Sequence, residues 1–133
     1  YAKKYLLTRS ERRFLPALRK AVGEEYAIAM SVRLADVINC SDESWRAGYG
    51  PLISSKQLDF VLCHPDTTEI VVAIELDDPT HGLDDRRERD VFLDNAMEAA
   101  GVPLVRIETA EAYDVAAIQR ELAEVLEERD EYE

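Results

Sequence analysis

The chain has 133 residues, 47% of them hydrophobic by a broad count and 33% charged, a composition that suits one soluble globular domain with a core of its own. No apolar run approaches the roughly 18 residues of a membrane span and no signal peptide is visible, which excludes a transmembrane reading of this segment. The net charge of −12 runs against nucleic-acid binding by the surface as a whole, but it is polarised: residues 1–20 carry seven Lys/Arg and one Glu, and residues 108–133 carry ten Asp/Glu and two Arg. Cys40 and Cys63 form no CxxC pair, so structural zinc is not expected and a reduced, cytoplasmic setting is. The sequence starts at Tyr1 rather than Met and reads as a segment to which flanking domains or anchors can be joined.

Thr8 and Glu11 have capping-box spacing and predict a helix from Arg9 to Val22, stopped by Gly23. Its apolar stripe is Leu7, Phe14, Leu15, Leu18 and Val22. Glu11 falls on the same side, where it either completes the cap or reaches toward acidic residues further along the chain. Tyr26–Val32 reads as a first strand, and Leu34–Ile38 either extends it or forms a helical turn. Asn39–Ser55, with Gly48, Gly50 and Pro51, reads as a long polar loop. Trp45, Arg46 and Tyr49 lie on it and Lys56 beside it, a set suited to bases and phosphates; Trp45 alone can equally fold back over the core.

Leu58–Cys63 and Ile70–Leu76 are strand-like runs on either side of His-Pro-Asp-Thr-Thr. Asp59, Glu75 and Asp77 interrupt them. A carboxylate in a half-buried strand must be paired, protonated or bound to a cation. Alternation puts Glu75 and Asp77 on one face with Val71 and Ala73. A hairpin in which paired residue numbers sum to about 134 would set Asp59 opposite Glu75. Three converging carboxylates form a hard-cation site of the kind Mg²⁺ (or Mn²⁺) takes, although Asp77-Asp78 before Pro79 also suits a turn.

Asp84 or Asp85 is then expected to cap a helix running to Ala100 and ended by Gly101. Arg86 and Arg89 sit in its first turns, against the dipole preference, as phosphate contacts or as salt-bridge partners of Glu75 or Asp90. Pro103–Ile107 is a short strand, Asp114 caps a last helix from Val115 to about Glu128, and residues 129–133 read as an acidic frayed tail. The order α-β-β-β-α-β-α predicts a single α/β domain over residues 1–128. It has one mixed sheet flanked by helices, with the third and fourth strands parallel.

These residues carry a resemblance. The α-βββ-α-β core, with Asp59 in the second strand and Glu75-x-Asp77 ending the third, resembles the PD-(D/E)XK nuclease superfamily, nearest its restriction-endonuclease-like, very-short-patch-repair-like branch. Leu-Thr-x-x-Glu-x-x-Phe-Leu at 7–15, Leu-Asp-Phe-Val-Leu at 58–62, Ala-Ile-Glu-Leu-Asp-Asp-x-x-His at 73–81, Arg89-Asp90 and Gly-Val-Pro-Leu-Val-Arg-Ile at 101–107 make the chain similar to a bacterial domain-of-unknown-function family assigned to that fold. The resemblance implies a divalent-metal-dependent endonuclease, with Asp59 and Glu75 as metal ligands and Glu11 as the helix-one carboxylate that completes the site. The third motif position holds Asp77 where the superfamily has Lys. Lys56, three residues before Asp59, or His81, as base or phosphate contact, would supply the missing function. The chemistry is coherent by itself. Phosphodiester hydrolysis needs an activated water and a polarised phosphoryl oxygen, and a bound Mg²⁺ serves both. Arg86, Arg89, Arg46 and Lys56 are the expected contacts to a nucleic acid, DNA in the first instance. The alternative expectation is an inactive descendant that binds nucleic acid or a protein partner through the same fold.

Overall fold

Helix α1 (Arg9–Val22) begins where the spacing of Thr8 and Glu11 places it: the Glu11 main-chain N–H donates to Thr8 Oγ1 at 3.3 Å and the Thr8 N–H to Glu11 Oε1 at 2.7 Å. Pro16 lies inside the helix on its exposed face, and Gly23, at φ 55°, ends it with its N–H on the Arg19 carbonyl at 2.9 Å. The computed structural model describes residues 1–78 and 83–131; for Ser44, residues 83–90 and residues 128–131 it describes the backbone alone.

Strand β1 (Ala27–Arg33) is followed by one 3₁₀ turn, Leu34–Asp36, the helical alternative for that segment. Residues 39–55, expected to be an irregular loop, instead hold helix α2 (Asp42–Ser44), a wide turn over Trp45–Tyr49 and helix α3 (Gly50–Ser55). The break signals were real but local. Gly48 takes φ 102°, which separates the turns, and Pro51 sits in the first turn of α3, where a missing N–H costs nothing. A Cβ on Gly50 would collide with the Trp45 indole, so glycine is what lets that ring lie against the helix start.

Strands β2 (Gln57–Cys63) and β3 (Ile70–Asp77) form an antiparallel hairpin, and β4 (Leu104–Glu108) joins β3 in parallel after helix α4 (Leu83–Ala100). Helix α4 starts at Leu83, so Asp84 and Asp85 fall in its first turn rather than at its cap. It ends at Gly101, φ 74°, where Val102 N–H returns to the Met97 carbonyl at 3.0 Å. Helix α5 (Val115–Glu131) is capped by Asp114, whose Oδ1 accepts from Ala116 N–H at 3.0 Å, and its backbone runs beyond the expected end near Glu128.

The sheet order is β1-β2-β3-β4, mixed, with helices against it: an α/β architecture as the pattern of elements implied. The sheet separates two apolar clusters. On one side Phe14 and Leu18 of α1 and Ile118 and Leu122 of α5 pack on Phe60 and Ile74; Phe14 meets Phe60 and Tyr113 at ring centroid distances of 5.4 and 5.1 Å. The second cluster packs Leu93 and Met97 of α4 and Ile53 of α3 on Val61 and Ala73. Burial on both sides explains why β3 reads as an almost unbroken apolar run. Among the described residues, no helix is long and apolar enough to cross a membrane.

Candidate functional site

The β2–β3 ladder pairs Phe60 with Ile74 and Val61 with Ala73, so paired numbers sum to 134 and Asp59 comes opposite Glu75 where the ladder ends. There the side chains take over from the main chain. Asp59 N–H donates to Glu75 Oε1 at 2.8 Å, and Leu76 N–H donates to Asp59 Oδ2 at 2.8 Å. Each carboxylate is thereby pinned to the strand opposite its own. Glu75 is 7% exposed and Asp59 is half-buried.

Two carboxylates this close and this dry disfavour each other's charge. Asp59 is pushed up to about 7, by burial first and by the charge of Glu75 next, against the pull of the Leu76 amide. Burial also raises Glu75, and Lys56 is the main opposing influence. Lys56 Nζ stands 3.4 Å from Glu75 Oε2. Its position is fixed from behind, because the Lys56 carbonyl accepts from Leu34 N–H at 2.9 Å and ties the start of β2 to the 3₁₀ turn. Lys56 thus reaches the acidic pair from the strand before Asp59.

The other expected ligands have partners elsewhere. Parallel pairing sets Glu75 beside Arg106, whose guanidinium contacts Asp77 Oδ1 at 3.4 Å and Asp94 Oδ1 at 3.1 Å. Glu11, 8% exposed, spends Oε1 on the helix cap, although its charge still raises Asp59. Among the described residues no group of three His, Cys, Asp or Glu side chains forms a metal-ligand cluster. The structure brings together Asp59, Glu75 and Lys56, sets Asp77 against Arg106 and places Glu11 Oε1 on the helix cap. His81 lies outside the described residues, as do the side chains of Arg86 and Arg89. Arg46 is exposed on the Trp45–Tyr49 turn.

Two residues at the site escaped the sequence reading. Asp94, half a helix along α4, holds the second carboxylate on Arg106. Ser31 lies between the pairs Met30–Phe60 and Val32–Leu58, hence opposite Asp59, and takes φ 51° inside a strand. Such a conformation costs about 1–3 kcal/mol in a residue that is not glycine and is concentrated at functional sites. It also disturbs the pleat: Leu58 and Val61, three apart, both join the second apolar cluster, and so do Ala29 and Val32. No sequence signal marks Ser31; the only hint is a small residue in an otherwise apolar strand.

No curated protein and no solved structure matches the chain. A family model matches residues 3–126, which takes in α1, the whole sheet and most of α5. The chain belongs to that family, described as "Protein of unknown function (DUF2726)".

Proposed function

We propose that the domain is a divalent-metal-dependent nuclease that hydrolyses phosphodiester bonds, those of DNA in the first instance. The observation that carries this reading is the interlocked Asp59–Glu75 pair with Lys56 3.4 Å from Glu75. A buried pair that raises its own proton affinity is poorly arranged for stability alone, and such pairs are concentrated at functional sites. The donor set fits Mg²⁺ or Mn²⁺. Mg²⁺ is commonly held by one or two carboxylates with waters and substrate phosphates completing the shell, so a pair suffices where a triad was expected. Asp59 Oδ1 has no hydrogen-bond partner among the described residues, so one oxygen is open to a cation.

When bound, the ion would polarise a phosphoryl oxygen and lower the pKa of a water. Asp59 and Glu75 would hold it. The two main-chain N–H groups keep both carboxylates in place, so the pair does not have to reorganise on loading. Lys56 would neutralise charge at the scissile phosphate and orient the attacking water, a task the superfamily's pattern gives to the position that Asp77 occupies here. The resemblance noted in the sequence supports the same assignment. Arg46 and the basic residues 1–20 are the groups on hand for phosphates outside the site.

One observation favours a second reading. Lys56–Glu75 and the contacts of Arg106 with Asp77 and Asp94 make a set of ion pairs, which a non-catalytic domain binding nucleic acid or a protein could retain. Supercoiled plasmid incubated with Mn²⁺ separates the two. The nuclease nicks it, and the Asp59→Ala variant does not. Equal nicking by both proteins means a contaminating activity and sinks the proposal.

A further inference from the structure

We propose that Ser31 is a positioning residue: its left-handed backbone turns the β1–β2 ribbon over at the rung it shares with Asp59, and that turn sets the Asp59 carboxylate. Among the described residues, two that are not glycine have φ in this region, Thr68 at 64° and Ser31 at 51°. Thr68 lies in the turn between β2 and β3, where a left-handed residue is an ordinary means of reversing the chain. Ser31 lies inside a strand and has no reversal to make. The register is the same on both sides of it, Met30 with Phe60 and Val32 with Leu58, so no residue has been inserted there. What changes is the face. Met30 and Phe60 pack in the first apolar cluster, with α1 and α5, whereas Val32 and Leu58 pack in the second, with α3 and α4. Residues two apart share a face in a regular pleat, so both strands change sides across the single rung of Ser31 and Asp59. Bulges at sheet edges re-aim side chains in this way, and the edge strand β1 does it without an extra residue.

Regular alternation would return Leu58 to the side of Phe60 and put Asp59 on that of Val61, whose cluster is apolar. The changeover gives Leu58 that apolar place and stands Asp59 at the boundary between the clusters. Its neighbours agree with a boundary position. Glu11, one of the buried residues of α1, acts on Asp59 from the side of the first cluster. Glu75 acts from the other side, because Ile74 and Leu76 on either side of it both join the first cluster. From there Asp59 Oδ2 reaches the Leu76 N–H on the strand opposite.

The test separates the backbone of Ser31 from its hydroxyl. Ser31→Thr keeps the hydroxyl but adds the β-branch that makes a positive φ a genuine outlier; Ser31→Gly gives up the hydroxyl and takes that φ freely. Hydrogen exchange at the Asp59 and Leu76 amides reads the carboxylate placement without metal, with the Leu62 and Val72 amides as reference. Ser31→Gly should exchange as the wild type does at all four. Ser31→Thr should lose protection about tenfold at Asp59 and Leu76 alone. Calorimetry with Mn²⁺ should follow the same order, with wild-type affinity in Ser31→Gly and affinity about tenfold weaker in Ser31→Thr. This second readout rests on the nuclease reading; the first does not. Should Ser31→Thr not fold, Ser31→Asn takes its place: it lacks the hydroxyl but tolerates a positive φ, so it should match Ser31→Gly, and loss of protection in both would overturn the proposal. Equal exchange in the Thr and Gly variants would overturn it too, as would loss in Ser31→Gly with retention in Ser31→Thr, which assigns the role to the hydroxyl. A wild-type chain that binds no Mn²⁺ while the amide contrast persists would refute the cation site and leave the positioning role standing.

Discussion

The β2–β3 hairpin carries two regions built on the same ladder to opposite ends. In its middle, Phe60, Leu62, Val72 and Ile74 are fully buried among apolar side chains. At its open end, one pair further along, the main-chain N–H groups of Asp59 and Leu76 bind carboxylates instead of carbonyls. The backbone scarcely distinguishes the two; the side chains do. The apolar region gains from every atom it buries, whereas the acidic one buries charge that water would hold at less cost. That contrast implies that variants in the first region lose stability, while variants in the second gain it and lose function.

The largest expected effect is in the apolar region. Phe14→Ala removes a ring with no exposed surface that touches Phe60 and Tyr113, and should cost about 3–5 kcal/mol in urea unfolding. A loss below about 1 kcal/mol would mean that α1 is not packed as described.

The second effect has the opposite sign. Asp59 titrates near 7 in the folded chain against an ordinary value of 3.8. Between those pH values the native state holds a proton that the unfolded state has released. The stability from this group is therefore present in full below the ordinary value, declines as pH rises through the interval, and is gone above about 7. Asp59→Asn should abolish the decline and stabilise the metal-free protein near pH 8 by about 2 kcal/mol, allowing for partial exposure. Unfolding curves for the two proteins at both ends of the interval decide it; parallel pH profiles would contradict the account.

The smallest effect tests the boundary between the regions. Arg106→Gln separates the guanidinium from Asp77 and Asp94 in partly exposed ion pairs, and should cost no more than about 1 kcal/mol. Its influence on cation affinity should be smaller than that of any change at Asp59 or Glu75. A larger influence would place Asp77 among the ligands.

Much of this contrast is legible in the sequence because it depends on short-range rules. Thr8 and Glu11 define the helix start through a spacing of three, and two β-prone apolar runs on either side of a polar turn mark the hairpin. The fate of Asp77 is not local. It depends on Arg106 arriving in parallel from beyond α4, together with Asp94, and no window of neighbouring residues contains that information. The turns between residues 42 and 55 were hidden for a different reason: helices this short have no apolar period, and Gly48 and Pro51 read as breakers when they are a hinge and a helix start. Ser31 shows the limit most plainly, since its left-handed backbone is imposed by the sheet around it and not by its own preference.

The central claim is that Asp59 and Glu75 together form a divalent-cation site, and titration of Mg²⁺ or Mn²⁺ into the protein by calorimetry addresses it directly. The account predicts saturable binding to the wild-type chain that Glu75→Gln abolishes while the fold persists. Equal heats from both proteins, or no binding to either, would contradict it.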